Sequence, residues 1–156
     1  MSRSRSLRRR VDMGRRSAVR SRDVVGFALR WPGQTDGQLW ISGDTVLYGG
    51  VLEVASRLKV DVALLHLGGV RFPITGPIRY SMTARDAIEL CRLLRPRTAI
   101  PIHYEGWRHF QQDRGAIERE FARAPDDIRR RIRWLPIGQE VVLEPVGPSF
   151  LRRSRG

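Results

Sequence analysis

Scarcity is the first information this chain offers. One cysteine, Cys91, stands in 156 residues, which excludes an intrachain disulfide and any cysteine-built zinc cluster within one chain. It falls inside a helical apolar pattern, where a thiol serves as a small core residue and not as a nucleophile. Lysine is almost missing: Lys59 is the one lysine against 28 arginines. Only three histidines occur, His66, His103 and His109. No apolar run approaches the roughly 18–20 residues of a membrane span, and no segment near the N-terminus reads as a secretory signal. A cytoplasmic, reducing location is the expectation.

Charge is abundant but unevenly placed. The net charge is +13, yet residues 1–22 hold nine arginines against Asp12, and residues 152–156 hold three more. The stretch between them carries 17 basic and 15 acidic groups, so the pI of about 11.5 belongs to the tails. A basic tail attracts nucleic acid or an anionic surface through counterion release and a long-range field. Selection for positive charge alone would use lysine as well as arginine, whereas GC-rich codons favour arginine only, which weakens that reading. Residues 1–22 have too few apolar side chains (Leu7, Val11, Met13, Val19) to fold alone. They are expected to be a disordered Arg/Ser-rich tail. A basic arm for a polyanion, a transit-type segment, and residues from a misplaced start or shifted frame are all compatible with it. Residues 23–146 are the expected folded domain and residues 147–156 a second basic tail.

The domain reads as alternating strands and helices. Strands are expected near 24–29, 38–42, 62–67, 98–102 and 140–143, the first two as an antiparallel hairpin around Pro32–Gly37. Val62 to Leu67 is a continuous apolar run, as in a strand buried on both faces. Helices are expected near 51–59, 83–94 and 115–124 from their apolar spacing. Thr83 followed three residues on by Asp86 resembles a capping box.

Two of these strands end on residues with metal chemistry. Trp40-Ile41-Ser42-Gly43-Asp44-Thr45 closes on a carboxylate, with Gly43 permitting the sharp turn that lets it project. Ala99-Ile100-Pro101-Ile102-His103-Tyr104 closes on an imidazole, the commonest metal-ligating side chain. On local grounds alone, Asp44 also suits a turn cap and His103 a hydrogen-bonded core histidine.

Four segments in order, Leu39–Thr45, Asp61–Gly69, Ser81–Ala87 and Pro101–Trp107, resemble the second half of the metallo-β-lactamase-fold superfamily. Their likeness is to its bacterial metal-dependent hydrolases, including the ascorbate-6-phosphate lactonase-like branch, over about residues 24–145. The resemblance implies an α/β fold, the C-terminal half of an αββα sandwich. It implies that Asp44 bridges two metals and acts in catalysis, that His103 completes one metal site, and that the metal is zinc. His66, Tyr104 and Trp107 are then pocket or second-layer residues, and His109 is peripheral.

The superfamily's H-x-H-x-D-H run and its following metal-binding histidine are missing, since no histidine precedes His66. Two protein ligands do not hold catalytic zinc tightly, because such sites normally supply three. The implied activity is metal-hydroxide attack on an ester, lactone, amide or phosphoester of an unidentified small molecule. It is expected to be truncated and inactive alone, with metal held weakly and a separate chain as a candidate supplier of the N-terminal half. The alternative is a basic nucleic-acid-binding or interaction module, acting through residues 1–22 on a relict half-fold.

Overall fold

The computed structural model describes residues 5–6, 24–32, 34 and 36–143. One sheet organises them, in the order β1 (Arg5–Ser6), β2 (Phe27–Leu29), β3 (Gln38–Ile41), β4 (Val60–His66), β5 (Thr98–Ile102). Strands β2 and β3 form the expected antiparallel hairpin, with Ala28 opposite Trp40. Strands β3, β4 and β5 run parallel, Trp40 pairing with Ala63 and Ala63 with Ala99. Parallel neighbours need crossovers, supplied by α1 (Gly49–Arg57) and α2 (Ala84–Leu94). Helices α3 (Arg114–Ala122) and α4 (Asp126–Arg129) follow β5.

The core lies between the helices and one face of the sheet. Ala28, Trp40, Ala63, Leu65 and Ala99 face it from the strands. Ala87, Leu90, Cys91 and Leu94 face it from α2, as their helical spacing predicts. Alternate residues point to the other face of the sheet. There Leu39, Ile41, Leu64 and Ile102 are half-buried and Phe27 is 43% exposed. Burial of β4 on both faces is therefore unequal: Ala63 and Leu65 are fully buried, whereas Leu64 and His66 are not.

Helix α2 starts where the sequence places it. Thr83 Oγ1 accepts the Asp86 N–H, and an Asp86 carboxylate oxygen accepts the Thr83 N–H at 2.9 Å. Aspartate thus completes a capping box normally built with glutamate. Arg95 ends the helix in the left-handed conformation.

Two expectations are corrected. No strand forms at 140–143, where Val142 is 70% exposed. The outer edge of β5 is already occupied: Ile132 bridges Ala99 in parallel, with Ala99 N donating to Arg131 O and Arg133 N to Ala99 O. Within residues 1–22, expected to be disordered or only loosely helical, Arg5–Ser6 form β1, which pairs antiparallel with β2 through Arg5–Ala28 and Ser6–Phe27. An unpaired β2 edge is a template for such addition. The rest of residues 1–22, and the C-terminal tail 147–156, lie outside the described residues.

Cys91 is fully buried, and desolvation pushes its thiol pKa up to about 12. Thiolate is the reactive form. Iodoacetamide at pH 8 should therefore leave Cys91 unmodified in the native protein and alkylate it after denaturation, as read by mass spectrometry. Rapid native labelling would contradict the core assignment.

Candidate metal centre

The parallel strands deliver three polar side chains to one edge of the sheet. Asp44 follows β3, His66 ends β4 and His103 follows β5. In a parallel sheet, ligand sites form outside the C-terminal strand ends.

Asp44 is aimed by the turn before it. Gly43 has φ +66, and a Cβ there would stand 2.6 Å from Val25 O. No other residue fits that turn without displacing β2's approach. The Asp44 side chain is 57% exposed, while Ser42 and Thr45 on either side are buried.

His103 also sits in the left-handed region, at φ 58. For a residue with a Cβ this costs on the order of 1–2 kcal/mol, a cost tolerated mainly where the surroundings fix the conformation for a purpose. Its Nδ1 is buried without a hydrogen-bond partner. Asp44 Oδ1 lies 3.3 Å from that nitrogen, in ion-pair range but out of hydrogen-bond alignment. Two donors bound to one tetrahedral ion at about 2.0–2.1 Å stand roughly 3.3 Å apart. The orphaned nitrogen and its carboxylate neighbour thus fit one corner of a coordination shell. They do not complete it: among the described residues, no group of three His, Cys, Asp or Glu stands ready to hold a metal ion.

His66 is half-buried beside this pair, its ring centroid 5.5 Å from that of His103. Burial lowers its pKa most; nearby Asp44 opposes the shift and His103 adds to it. The backbone N–H of His66 donates to Ser42 Oγ at 3.0 Å, and its Nδ1 is 3.2 Å from the same oxygen.

The remaining expected pocket residues separate. Tyr104 is buried in the core, its ring 5.5 Å from Trp134 and nearly perpendicular to it. An aromatic ring gains more there than at a wet rim. Trp107 is 70% exposed, with its ring 6.4 Å from that of His109. His109 packs on Phe72, away from any ring contact with His103. A hollow of about 310 Å³ lined by Arg79, Thr83, Arg85, Asp86, Gln112 and Glu120 contains none of the expected site residues. It surrounds the α2 capping box.

Sequence reading missed two supports. Ser42 ties the ends of β3 and β4 together, its N–H donating to Leu64 O at 3.0 Å. Phe110 packs edge-on against His103, with centroids 5.1 Å apart. Ser42 had a signal in its place between strand and Gly-Asp turn; Phe110 had none.

Gly68 holds the loops after β4 and β5 together. Its φ is +94, and a Cβ would meet Phe110 Cδ1 at 2.5 Å and His103 O at 3.0 Å. Gly68 O also accepts from Gln111 N and Gln112 N. Gly68→Ala should cost about 1–3 kcal/mol and displace Phe110 from the imidazole. Denaturant unfolding and the His103 ring NMR shifts would check this, and wild-type values of both would refute it.

No family model matches the chain. It is 35% identical over 104 residues to a "UPF0173 metal-dependent hydrolase" of Opitutus terrae, covering 67% of this chain and 40% of that protein. It is 33% identical over 88 residues to one of Pelotomaculum thermopropionicum, covering 56% and 33% respectively. Among solved structures, it matches a possible metal-dependent hydrolase from Veillonella parvula with TM-score 0.67 at 16% identity, over 78% of this chain and 44% of that one. An isothiocyanate hydrolase from Delia radicum gut bacteria gives TM-score 0.65 at 20% identity, with the same two coverages. The chain spans less than half the length of the curated relatives it matches. Its relatives by sequence are metal-dependent hydrolases, and it shares an α/β fold with solved structures of a possible metal-dependent hydrolase and of an isothiocyanate hydrolase, over 78% of its own length and 44% of each of theirs.

Proposed function

We propose that this chain contributes Asp44 and His103 to the divalent-metal centre of a hydrolase acting on an ester, lactone, amide or phosphoester. The observation that carries the reading is the buried, unpartnered His103 Nδ1 beside the Asp44 carboxylate at 3.3 Å. Zinc suits this oxygen-and-imidazole donor set. When bound, such an ion lowers the pKa of a water toward neutrality and polarises the group under attack. Asp44 and His103 would hold that ion, and the chain's own residues fix their direction. Gly43 aims the carboxylate, the left-handed backbone at 103 aims the imidazole, and Phe110 shields one edge of the ring.

The centre is incomplete on the described residues, and the relatives are more than twice as long as the stretch they share with this chain. A polypeptide carrying an H-x-H-x-D-H segment would supply the remaining ligands, and substrate would enter between the two parts. A lactone is one substrate within this class, as in the ascorbate-6-phosphate lactonase-like branch.

Calorimetric zinc titration of the full chain, alone and mixed with an N-terminal half-domain from a matching relative, tests the reading. The mixture should bind zinc more tightly than either part and hydrolyse a model ester or lactone. Equal affinity in all three samples, without turnover, would defeat it. Binding of polyanions that falls steeply with salt, in a chain indifferent to zinc, would instead favour the basic-module reading.

A further inference from the structure

We propose that His66 is a third protein ligand of this metal centre, binding through Nε2. The proposal rests on the Asp44–His103 reading and deepens it.

The argument begins with one hydroxyl. Ser42 Oγ lies 3.0 Å from Gly43 O, 3.0 Å from His66 N and 3.2 Å from His66 Nδ1. A serine hydroxyl has one proton and two lone pairs. Gly43 O only accepts, so the proton goes there. The backbone N–H of His66 only donates, so it takes one lone pair. The second lone pair is left for Nδ1, and this hydrogen bond closes when Nδ1 carries the hydrogen. A neutral imidazole protonated at Nδ1 presents an unprotonated Nε2. Metal-bound histidines share this arrangement, the second ring nitrogen donating to an oxygen that fixes tautomer and ring orientation.

Placement agrees with the tautomer. Asp44, His66 and His103 come from three adjacent parallel strands at the same sheet edge. Two imidazoles on one tetrahedral ion, with bonds of about 2.0–2.1 Å, have ring centroids roughly 5 Å apart; those of His66 and His103 are 5.5 Å apart. No three-donor cluster is preformed among the described residues, so loading involves a side-chain movement. Asp44, with its side chain 57% exposed, has room to make it. A carboxylate and two imidazoles give this chain the three protein ligands that a catalytic zinc site normally has.

Zinc titration of the full chain, ¹⁵N-labelled on histidine and followed by long-range ¹H–¹⁵N correlation, decides the matter. The free protein should show His66 protonated at Nδ1, and zinc should shift its Nε2 together with the His103 ring. His66→Gln should lower zinc affinity at least about tenfold with far-UV circular dichroism unchanged. Ser42→Ala, which releases the tautomer, should lower affinity by about 10–100-fold. If His66→Gln does not fold, the wild-type spectra decide alone. Zinc that shifts His103 but leaves His66 unmoved would overturn the proposal and leave the Asp44–His103 pair standing. No shift at either ring would overturn both.

Discussion

Asp44→Ala and His103→Ala should each reduce metal-dependent hydrolysis by the completed enzyme by roughly a thousandfold. Metal stabilisation of the reacting charge supplies several kcal/mol, and each 1.36 kcal/mol is a factor of ten in rate. Loss of turnover does not by itself distinguish a ligand from a structural residue, and His103 offers the control. Its φ of 58 suits glycine. His103→Gly should therefore relieve backbone strain and keep thermal stability near wild type while abolishing zinc-dependent turnover. A variant that unfolds would assign His103 to structure. Full activity in either alanine variant would remove that residue from the centre.

The second large effect is on stability. Leu65 is fully buried on the helix-facing side of β4. Leu65→Ala removes its packing and leaves a cavity, which typically costs 2–5 kcal/mol. Small domains hold only about 5–15 kcal/mol in total, so a substantial part of the folding free energy would go. At about 2–4 °C per kcal/mol for a chain of this size, the melting temperature should fall by roughly 4–20 °C. Leu64→Ala on the opposite face, where the side chain is only half-buried, should cost clearly less. Equal losses at the two positions would mean that the sheet is packed on both sides alike.

Legibility followed the strength of local pattern. Helix α2 could be read almost to the residue because Thr83, Asp86 and the spacing of Ala87, Leu90, Cys91 and Leu94 all point the same way. Strands β4 and β5 announced themselves as apolar runs, and their ends carried Asp44's partners. Glu140–Leu143 misled because three apolar residues in a row look like a strand whether or not an edge is available. The edge beside β5 is taken by Ile132, a pairing no local pattern encodes. Tyr104 follows His103 directly in sequence, but the chain turns at the left-handed His103 and the phenol ring lies in the core, a placement adjacency alone does not encode. The hydrogen-bonding role of Ser42 depends on three partners that strand pairing brings together, so it emerges only in three dimensions.

The parallel arrangement of β3, β4 and β5 also bears on the order in which the molecule forms. The β2–β3 hairpin closes a short loop, but the parallel β3–β4 and β4–β5 pairings must each wait for a helical crossover. Closing long loops costs chain entropy before any contact repays it, which slows folding. Asp44, His66 and His103 sit at the far ends of those late-forming pairings. Their meeting is thus among the last events of folding, and an ion that binds only the assembled edge should slow unfolding more than it speeds refolding.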